Sequence, residues 1–325
     1  MAGRCRVATG AVIEPLNGAR RLRVYASDQF PLSARYFPSL TTSPTETQRI
    51  VIFLCGVGAS QHRFQDLANY CTQAGWHALT FDYRGIGESA IPPGMEPDVS
   101  MQAWGELDLT AMIKWADSEL ENPHIALLGH SMGGQIAALA DNAQRVSAML
   151  MIGCQKGYWR LWPDWRRYLV YGVFRLAVPT CLATFGHVPL RWIGLHRLEP
   201  GIAADYARWT LRPDYRSAQG RLLTPAYYCF TAPILSISFD DDVIYAPKPT
   251  VDALVNRFYV KAAVVRAHLI AQEYSALGFG HAGFFQSHRC PQALWRDCIE
   301  WLTHVTAGGA PHGFVFSALP TYPLR

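Results

Sequence analysis

Charged residues are scarce in this chain of 325 residues, at 17%, and the formal net charge is only +4. Proteins that bind nucleic acids usually carry a strongly basic face, and here the charge is spread evenly along the sequence. Arginines and aromatic residues alternate at 159–167, but without a wider basic bias they do not favour a nucleic acid or a membrane surface. We therefore expect a small-molecule partner and no nucleic acid.

Paired cysteines are also missing. The chain has eight cysteines, and no two of them form a C-x-x-C pair. This spacing disfavours both a zinc site and a disulfide framework, and it is typical of reduced, mostly buried thiols. The sequence therefore predicts no metal and no cofactor.

Long apolar runs are absent as well. Residues 1–10 carry charge with no apolar run behind them, so we predict neither a signal peptide nor a transit peptide and expect a cytoplasmic location. The most apolar segment, 168–178, contains Arg175 and is shorter than the roughly 20 residues that a membrane helix needs. No transmembrane segment is predicted, and the oligomeric state stays open.

What the chain does contain is enough apolar material for a large core, because 50% of its residues are hydrophobic. Apolar runs of strand length at 50–54, 76–81 and 125–128 alternate with amphipathic helical segments. This rhythm predicts a mainly parallel central sheet with helices on both faces. Alternating residues at 22–26 and 32–36 predict an antiparallel pair before it.

The rhythm breaks after a strand predicted at 148–152. Residues 155–231 are dense in Trp, Tyr, Arg and Pro and show only short helical patterns, which predicts an inserted cap. The core would then have a first part, 1–154, and a second part, 232–325. The tail from Gly308 onward is predicted to be loosely ordered.

The most informative motif is Gly129-His130-Ser131-Met132-Gly133. An apolar run precedes it and good helix formers follow it, so the serine would stand on a sharp turn between a strand and a helix. Glycines at this spacing are needed where strand and helix crowd a strained backbone. The motif predicts a nucleophilic serine, and the alternative is a serine in an ordinary turn.

Four motifs in order resemble those of the α/β-hydrolase superfamily. They are the small-residue loop Gly56-Val57-Gly58 after a core strand, the turn from Asp82 to Ser89, the serine motif, and an acid followed by a histidine. Within the superfamily the chain is similar to bacterial hydrolases related to serine aminopeptidases and monoglyceride lipases. The resemblance covers nearly the whole chain and implies the α/β-hydrolase fold, but it does not indicate a substrate.

The resemblance also implies a catalytic triad. A serine needs a base and the base needs an orienting acid, and the family places its base where this chain has His281. Its acid corresponds to the second Asp of a G-D-x-D-P pattern, which gives Asp242, although Val243 stands where the proline is expected. Asp241 stays open as the alternative acid, and the remaining aspartates would cap the following helix or face solvent.

An oxyanion hole requires two backbone N–H donors, one after the nucleophile and one after the first central strand. These would be Met132 and Val57. Cys55 departs from the His-Gly start that is frequent in the family, and we expect it to be packed and unreactive. The Asp82 to Ser89 turn is interpreted as scaffold, because it lacks the lysine and the spacing of a phosphate loop.

These residues predict a serine hydrolase that forms an acyl-enzyme on an ester, thioester or lactone of an apolar substrate. An acyltransferase with the same triad, or a non-catalytic binding protein on the same fold, are the alternatives. A haloalkane-type enzyme would need Asp at position 131 and is excluded. Trp159 and Trp209 of the cap are expected to line the acyl pocket, the alternative being that they form the core of the cap itself.

Overall fold

A computed structural model describes residues 10–16, 18–41, 47–191 and 194–322. These residues form one ten-stranded sheet with helices packed against it. Residues 1–9, on which the targeting prediction rests, lie outside the described part of the chain.

The sheet is mixed, with a parallel centre. The strands are β1 (Gly10–Leu16), β2 (Ala19–Tyr25), β3 (Pro31–Phe37), β4 (Arg49–Leu54), β5 (His77–Phe81), β6 (His124–His130), β7 (Val146–Ile152), β8 (Ile234–Phe239), β9 (Val264–Leu269) and β10 (Thr321–Tyr322). Across the sheet their order is β1-β2-β3-β5-β4-β6-β7-β8-β9-β10. Pairing is parallel from β4 to β9 and antiparallel at both ends. The predicted parallel sheet and the hairpin before it are both confirmed.

Burial explains why the central strands read as unbroken apolar runs. All residues of β5 and β8 are buried, as are all but the first of β4 and β6. Parallel strands need apolar side chains on both faces, because the crossover helices cover both sides of the sheet. Antiparallel β2 instead mixes buried and exposed positions, as expected for a strand with one face near solvent.

The helices that follow these strands vary in length. They are α1 (Gln65–Gln73), α2 (Met101–Ala103), α3 (Thr110–Glu119), α4 (Gly133–Ile136), α5 (Arg166–Gly172), α6 (Val178–Phe185), α7 (Pro200–Leu211), α8 (Thr224–Tyr228), α9 (Lys248–Arg257), α10 (Ala271–Tyr274) and α11 (Gln292–Thr306). A π-helical stretch, Trp104–Leu109, joins α2 to α3, and another, Val173–Ala177, joins α5 to α6.

The winding of the sheet reverses at β4, which lies between β5 and β6. Ligands of such sheets bind beyond the carboxyl ends of the strands at the reversal, where neighbouring loops diverge. Leu54 at the end of β4 is in register with Gly129 near the end of β6. The loops that follow these two strands therefore begin side by side.

The segment from 155 to 231 contains helices α5 to α8 and contacts the core at several points. The Lys156 backbone N–H donates a hydrogen bond to the Thr250 carbonyl oxygen at 2.8 Å, and the Tyr215 hydroxyl donates to Oε1 of Gln135 at 3.1 Å. Burial lowers the pKa of Lys156 well below its ordinary value. Trp162 Nε1 donates to the Ile244 carbonyl oxygen at 2.7 Å, next to the predicted acid.

The apolar segment near residue 170 is longer than predicted. Helices α5 and α6 and the π-helical stretch between them form a continuous helix, Arg166–Phe185, of 20 residues. By length and composition alone it is long and apolar enough to cross a membrane, so the argument that this segment is too short was wrong. Arg175 misled the sequence interpretation, because the helix continues through it without a break.

The tail is also more regular than predicted. Strand β10 pairs with β9 through Thr321 and Ala267, which extends the sheet by one antiparallel strand. The backbone N–H groups of Ala318 and Leu319 donate to the carboxylate of Asp297 on α11 at 2.6 and 2.9 Å. The prediction of a loosely ordered tail is therefore wrong for the residues up to 322.

Candidate active site

Ser131 follows β6 at the carboxyl edge of the sheet and has an unusual backbone. Its φ angle is +54°, in the left-handed region, and its side chain is buried. A non-glycine residue there costs about 1–3 kcal/mol, which persists only where the surroundings enforce it. The Ser131 N–H donates to the Ile152 carbonyl oxygen of β7 at 3.2 Å, which helps to fix the turn.

Crowding around the turn gives the physical reason for both glycines of the motif. A Cβ atom on Gly133 would lie 2.5 Å from the Leu54 carbonyl oxygen. A Cβ atom on Gly129 would lie 2.9 Å from the backbone nitrogen of Gly134. In both cases the obstacle is backbone, which cannot rotate away as a side chain can. The turn therefore requires glycine at positions 129 and 133.

His281 and Asp242 meet at the carboxyl ends of β9 and β8. Nδ1 of His281 lies 2.6 Å from Oδ2 of Asp242, and the carboxylate is almost fully buried. Oδ1 of Asp242 accepts from the backbone N–H groups of Tyr245 at 3.3 Å and Ala246 at 3.2 Å. Because a carboxylate only accepts, the His281 proton lies on Nδ1, which leaves Nε2 as the basic nitrogen.

The neighbouring aspartates accept hydrogen bonds from backbone groups of other loops. Oδ2 of Asp241 accepts from the N–H groups of Phe279 and Gly280, both at 2.9 Å, and Oδ1 of Asp240 accepts from Ala271 N–H at 2.7 Å. Neither caps the following helix, and both are exposed, which agrees with the alternative that they face solvent. The geometry favours Asp242 over Asp241 as the partner of His281. The described residues contain no group of three His, Cys, Asp or Glu that could hold a metal ion.

His130 adds a contact that the sequence did not reveal. Its Nε2 lies 2.7 Å from the His281 carbonyl oxygen and donates to it, whereas its buried Nδ1 has no partner among the described residues. Burial, helped by the nearby charges of His281 and Arg63, lowers the pKa of His130 well below its ordinary value. His130 is therefore neutral and ties the His281 loop to the serine turn.

Tyr245 is a second residue that the sequence analysis missed. Its ring stacks on the His281 ring with 4.9 Å between centroids and 28° between planes. The tyrosine is about half exposed and covers one face of the imidazole. Its position three residues after Asp242 was the only available signal, and sequence spacing cannot give the orientation of a side chain on a loop.

The predicted oxyanion donors lie in the loops that border Ser131. A Cβ atom on Gly56 would come within 3.2 Å of the Ser131 Cβ, so the loop after β4 passes directly beside the nucleophile. Among the described residues, neither Val57 N–H nor Met132 N–H donates a hydrogen bond. Cys55 is buried and its pKa is raised well above its ordinary value by that burial, so its thiol is packed and unreactive.

The turn from Asp82 to Ser89 is held by its own polar groups. Asp82 accepts from Gln61 N–H at 2.7 Å and from Glu88 N–H at 2.8 Å, and buried Arg84 pairs with buried Asp108 at 2.7 Å. Because Asp82 joins the loop after β4 to the loop after β5, it supports the edge of the sheet that carries the serine. These contacts are what the scaffold interpretation requires.

Two predictions about the site stay predictions, because no described contact tests them. No described hydrogen bond joins Ser131 Oγ to His281, and this bond is often long in unliganded enzymes. Trp209 is only 1% exposed and packs on Tyr215, while Trp159 packs on Tyr171. Both tryptophans make their described contacts within the segment from 155 to 231, and their role in a substrate pocket stays a prediction.

The fold is similar to that of solved esterases. An esterase of Pyrococcus furiosus matches with a TM-score of 0.54 and 15% identity, covering 90% of this chain and 96% of that one. One from Exiguobacterium antarcticum gives 0.55 and 16%, covering 86% and 98%, and a thermophilic esterase from Thermogutta terrifontis gives 0.53 and 18%, covering 88% and 99%. The chain therefore has the α/β-hydrolase fold.

Sequence comparison agrees with the fold. Residues 45–183 match the family model described as serine aminopeptidase, S33, and the resemblance to the α/β-hydrolase superfamily is thus confirmed. An uncharacterized 31.7 kDa protein from the traX-finO intergenic region of Escherichia coli is 34% identical over 91 residues. That match covers 26% of this chain and 29% of the Escherichia coli protein, so it spans less than a third of the relative.

Proposed function

We propose that the protein is a serine hydrolase that cleaves an ester, thioester or lactone of an apolar substrate through an acyl-enzyme on Ser131. The observation that carries the proposal is the buried Asp242–His281 hydrogen bond at 2.6 Å, next to a serine with a left-handed backbone. The esterases that share the fold support the same reaction class. No described feature of the chain favours the acyltransferase alternative.

The chemistry follows from the proton positions. His281 Nε2 removes the proton of Ser131 Oγ as the oxygen attacks the substrate carbonyl carbon, and Asp242 stabilises the imidazolium that forms. The N–H groups of Val57 and Met132 donate to the developing oxyanion. His281 then gives its proton to the leaving oxygen or sulfur. A water molecule, deprotonated by His281, next attacks the acyl-enzyme, and Ser131 and the free acid are released.

The neutral state of His130 fits this role for its neighbour. The two imidazole rings lie 4.7 Å apart, and a positive charge on His130 would oppose protonation of His281. Because burial keeps His130 neutral, it can hold the His281 loop without suppressing the basicity of the ring. We assign His130 as a positioning residue of the proposed reaction.

Labelling with a fluorophosphonate tests the proposal directly, since the reagent modifies activated serines. Wild-type protein should be labelled, Ser131→Ala should not, and Ser60→Ala should label at the wild-type rate. Ser60 is a fitting control because it lies in the same loop region as Val57, and its side chain caps no helix. An unlabelled wild type would favour a binding protein, and a labelled Ser131→Ala variant would assign the nucleophile elsewhere.

A panel of esters, thioesters and lactones would then define the leaving group. Product analysis with and without an added alcohol or amine separates hydrolysis from acyl transfer. Free acid as the main product in both cases supports the hydrolase. If the acylated alcohol or amine forms faster than the free acid, the protein is an acyltransferase and the hydrolase proposal is wrong.

A further inference from the structure

The helix Arg166–Phe185 lies on the outside of the molecule although its residues are mostly apolar. Of the 18 consecutive residues with the highest mean hydropathy in this helix, only 6% are buried. Val178 is the one buried residue of the helix. An amphipathic helix normally buries its apolar stripe and exposes polar residues. Here large apolar side chains face outward, so the helix lacks the burial that its composition would lead one to expect.

One side of this helix packs on α7 and on the core cluster. The Phe174 ring meets the Tyr206 ring of α7 with 4.7 Å between centroids, and Cys181 and Leu182 pack against the core cluster. The opposite side exposes 67% of Leu176 and 39% of Val173. A groove of about 610 Å³ runs along that side, and its lining is mostly apolar, with hydroxyl groups from Tyr168 and Thr180. Exposed apolar surfaces of this kind mark interaction sites.

The charges around the helix are almost all positive. Arg160, Arg166, Arg167 and Arg175 stand against a single acidic residue, Asp164, within 159–185. Asp164 pairs with Arg166 at 3.4 Å, and Arg160 lies 5.1 Å from the centre of the Trp159 ring. Exposed aromatic residues, among them Trp165, occur at the same end of the helix. Arginine and tryptophan together are typical of segments at a membrane–water interface.

We propose that the exposed side of the helix Arg166–Phe185, the apolar face, docks on the surface of an anionic phospholipid membrane. The apolar side chains would enter the boundary between headgroups and acyl chains, and the arginines would contact lipid phosphates. The negative charge of the lipid complements the positive charge of the helix. A second protein copy would carry the same positive charge and therefore fits this face less well.

The helix lies in the plane of the membrane and does not span it, because both of its ends are attached to the rest of the protein. Before it, Trp162 Nε1 donates to the Ile244 carbonyl oxygen at 2.7 Å. After it, the His196 backbone N–H donates to the Gly58 carbonyl oxygen in the loop after β4 at 2.8 Å. A spanning orientation would pull these polar segments into the hydrocarbon, whereas a shallow orientation leaves them in water.

Vesicle co-sedimentation with the full-length protein tests the proposal. Large vesicles of phosphatidylcholine alone are compared with an equal mixture of phosphatidylcholine and phosphatidylglycerol. Wild-type protein should bind the mixture at least about tenfold more tightly, because each basic residue near an anionic surface contributes about fivefold. Equal sedimentation with the two vesicle types, or none with either, would overturn the proposal.

Two variants and one control identify the surface. Leu176→Glu should weaken binding to the mixed vesicles by about tenfold or more, since a charge replaces an apolar contact. Arg175→Gln should weaken it by about fivefold, with no effect on neutral vesicles. Val315→Glu is the matched control, because Val315 is 87% exposed and lies outside the cap. Wild-type binding by Leu176→Glu would overturn the assignment of this face.

Two further measurements separate the other occupants and the catalytic proposal. If light scattering shows a wild-type dimer that Leu176→Glu converts to a monomer, without vesicle binding by either, the face is a self-association surface. Fluorophosphonate labelling of each variant reports on the site around Ser131 independently. Loss of membrane binding by Leu176→Glu with intact labelling supports the proposal, because it shows that the site around Ser131 is preserved in the variant.

Discussion

Strand β6 and the helix Arg166–Phe185 are both rich in apolar residues, and they lie in opposite environments. All but the first residue of β6 are buried, whereas a single residue of the helix is. In the strand, burial on both faces fixes the backbone so firmly that Ser131 at its end is held at a φ of +54°. In the helix, no described part of the protein covers the outer side.

This difference shows that apolar residues in a sequence predict that a segment will be buried, but they do not predict which surface will cover it. The apolar residues of β6 are satisfied by the fold itself, and they create the rigidity that a strained nucleophile requires. The fold leaves the apolar residues of the helix exposed, so they are available to contact another molecule. Substitutions should therefore affect catalysis and stability at the first region and have small effects on both at the second.

The largest effect is expected from removing the base. His281→Ala should lower kcat/KM for a good ester by a factor on the order of 10⁴–10⁶, because only the oxyanion donors would remain to assist. The thermal midpoint should change little, since the side chain is partly exposed. His288 is an exposed histidine near the same loop, so His288→Ala is the control and should keep the wild-type rate. A His281→Ala variant with half the activity would show that another base acts.

The next largest effect separates the two aspartates. Asp242→Asn should reduce kcat/KM by a factor of about 10⁴, because an amide cannot stabilise the imidazolium and holds the wrong tautomer. Asp241→Asn should cost less than about tenfold, since its amide oxygen can still accept from Phe279 and Gly280. Steady-state kinetics on the same ester checks both. The reverse order of effects would move the acid of the triad to Asp241.

Paired glycine substitutions compare the stability of the two regions. Gly133→Ala should lower the free energy of unfolding by about 1–3 kcal/mol, because the new methyl group meets the Leu54 carbonyl oxygen. Gly172→Ala in the helix should raise it by up to about 1 kcal/mol, since its Cβ would meet no atom within 4 Å and alanine favours helix. Urea unfolding measures both. Equal effects would contradict the contrast between a crowded turn and an open helix.

The smallest effect concerns pH. The unfolded chain protonates His130 near pH 6.5, while the folded protein, in which burial lowers its pKa, does not. Stability therefore falls as pH drops below about 6.5, with a slope of up to about 1.4 kcal/mol per pH unit from this residue. His130→Gln should lose that share of the slope when unfolding is compared at about pH 7.5 and pH 5.5. Parallel pH profiles for both proteins would show that His130 is protonated in the fold.

Much of the catalytic region could be predicted from the chain alone. Local rules fix the position of Ser131, because an apolar strand, a turn with two glycines and a small-residue helix must follow one another within a few residues. The order of motifs also indicated that His281 and an aspartate after β8 belong together. Neither the link from His130 to His281 nor the stacking of Tyr245 was predictable, since both depend on how separate loops approach each other.

The length of the helix Arg166–Phe185 was misjudged for a related reason. A sequence shows that residues 168–178 are apolar and that Arg175 interrupts them, but it does not show whether the helix continues beyond them. The same limit applies to Asp240 and Asp241, whose partners lie 31 and 38 residues further along the chain. Contacts over such separations follow from the packing of whole elements and from no local pattern.

The sequence by itself determined the central strands and the helices between them, the parallel sheet and the strained serine turn, because these depend on periodicity and on the steric needs of single residues. Only the tertiary structure decided which aspartate faces His281, which histidine supports its loop and which apolar residues stay exposed. Those outcomes depend on the distances between segments that are remote in sequence. They are decided when the strands assemble into the sheet and the segment from 155 to 231 packs against it, so no shorter stretch of the chain determines them.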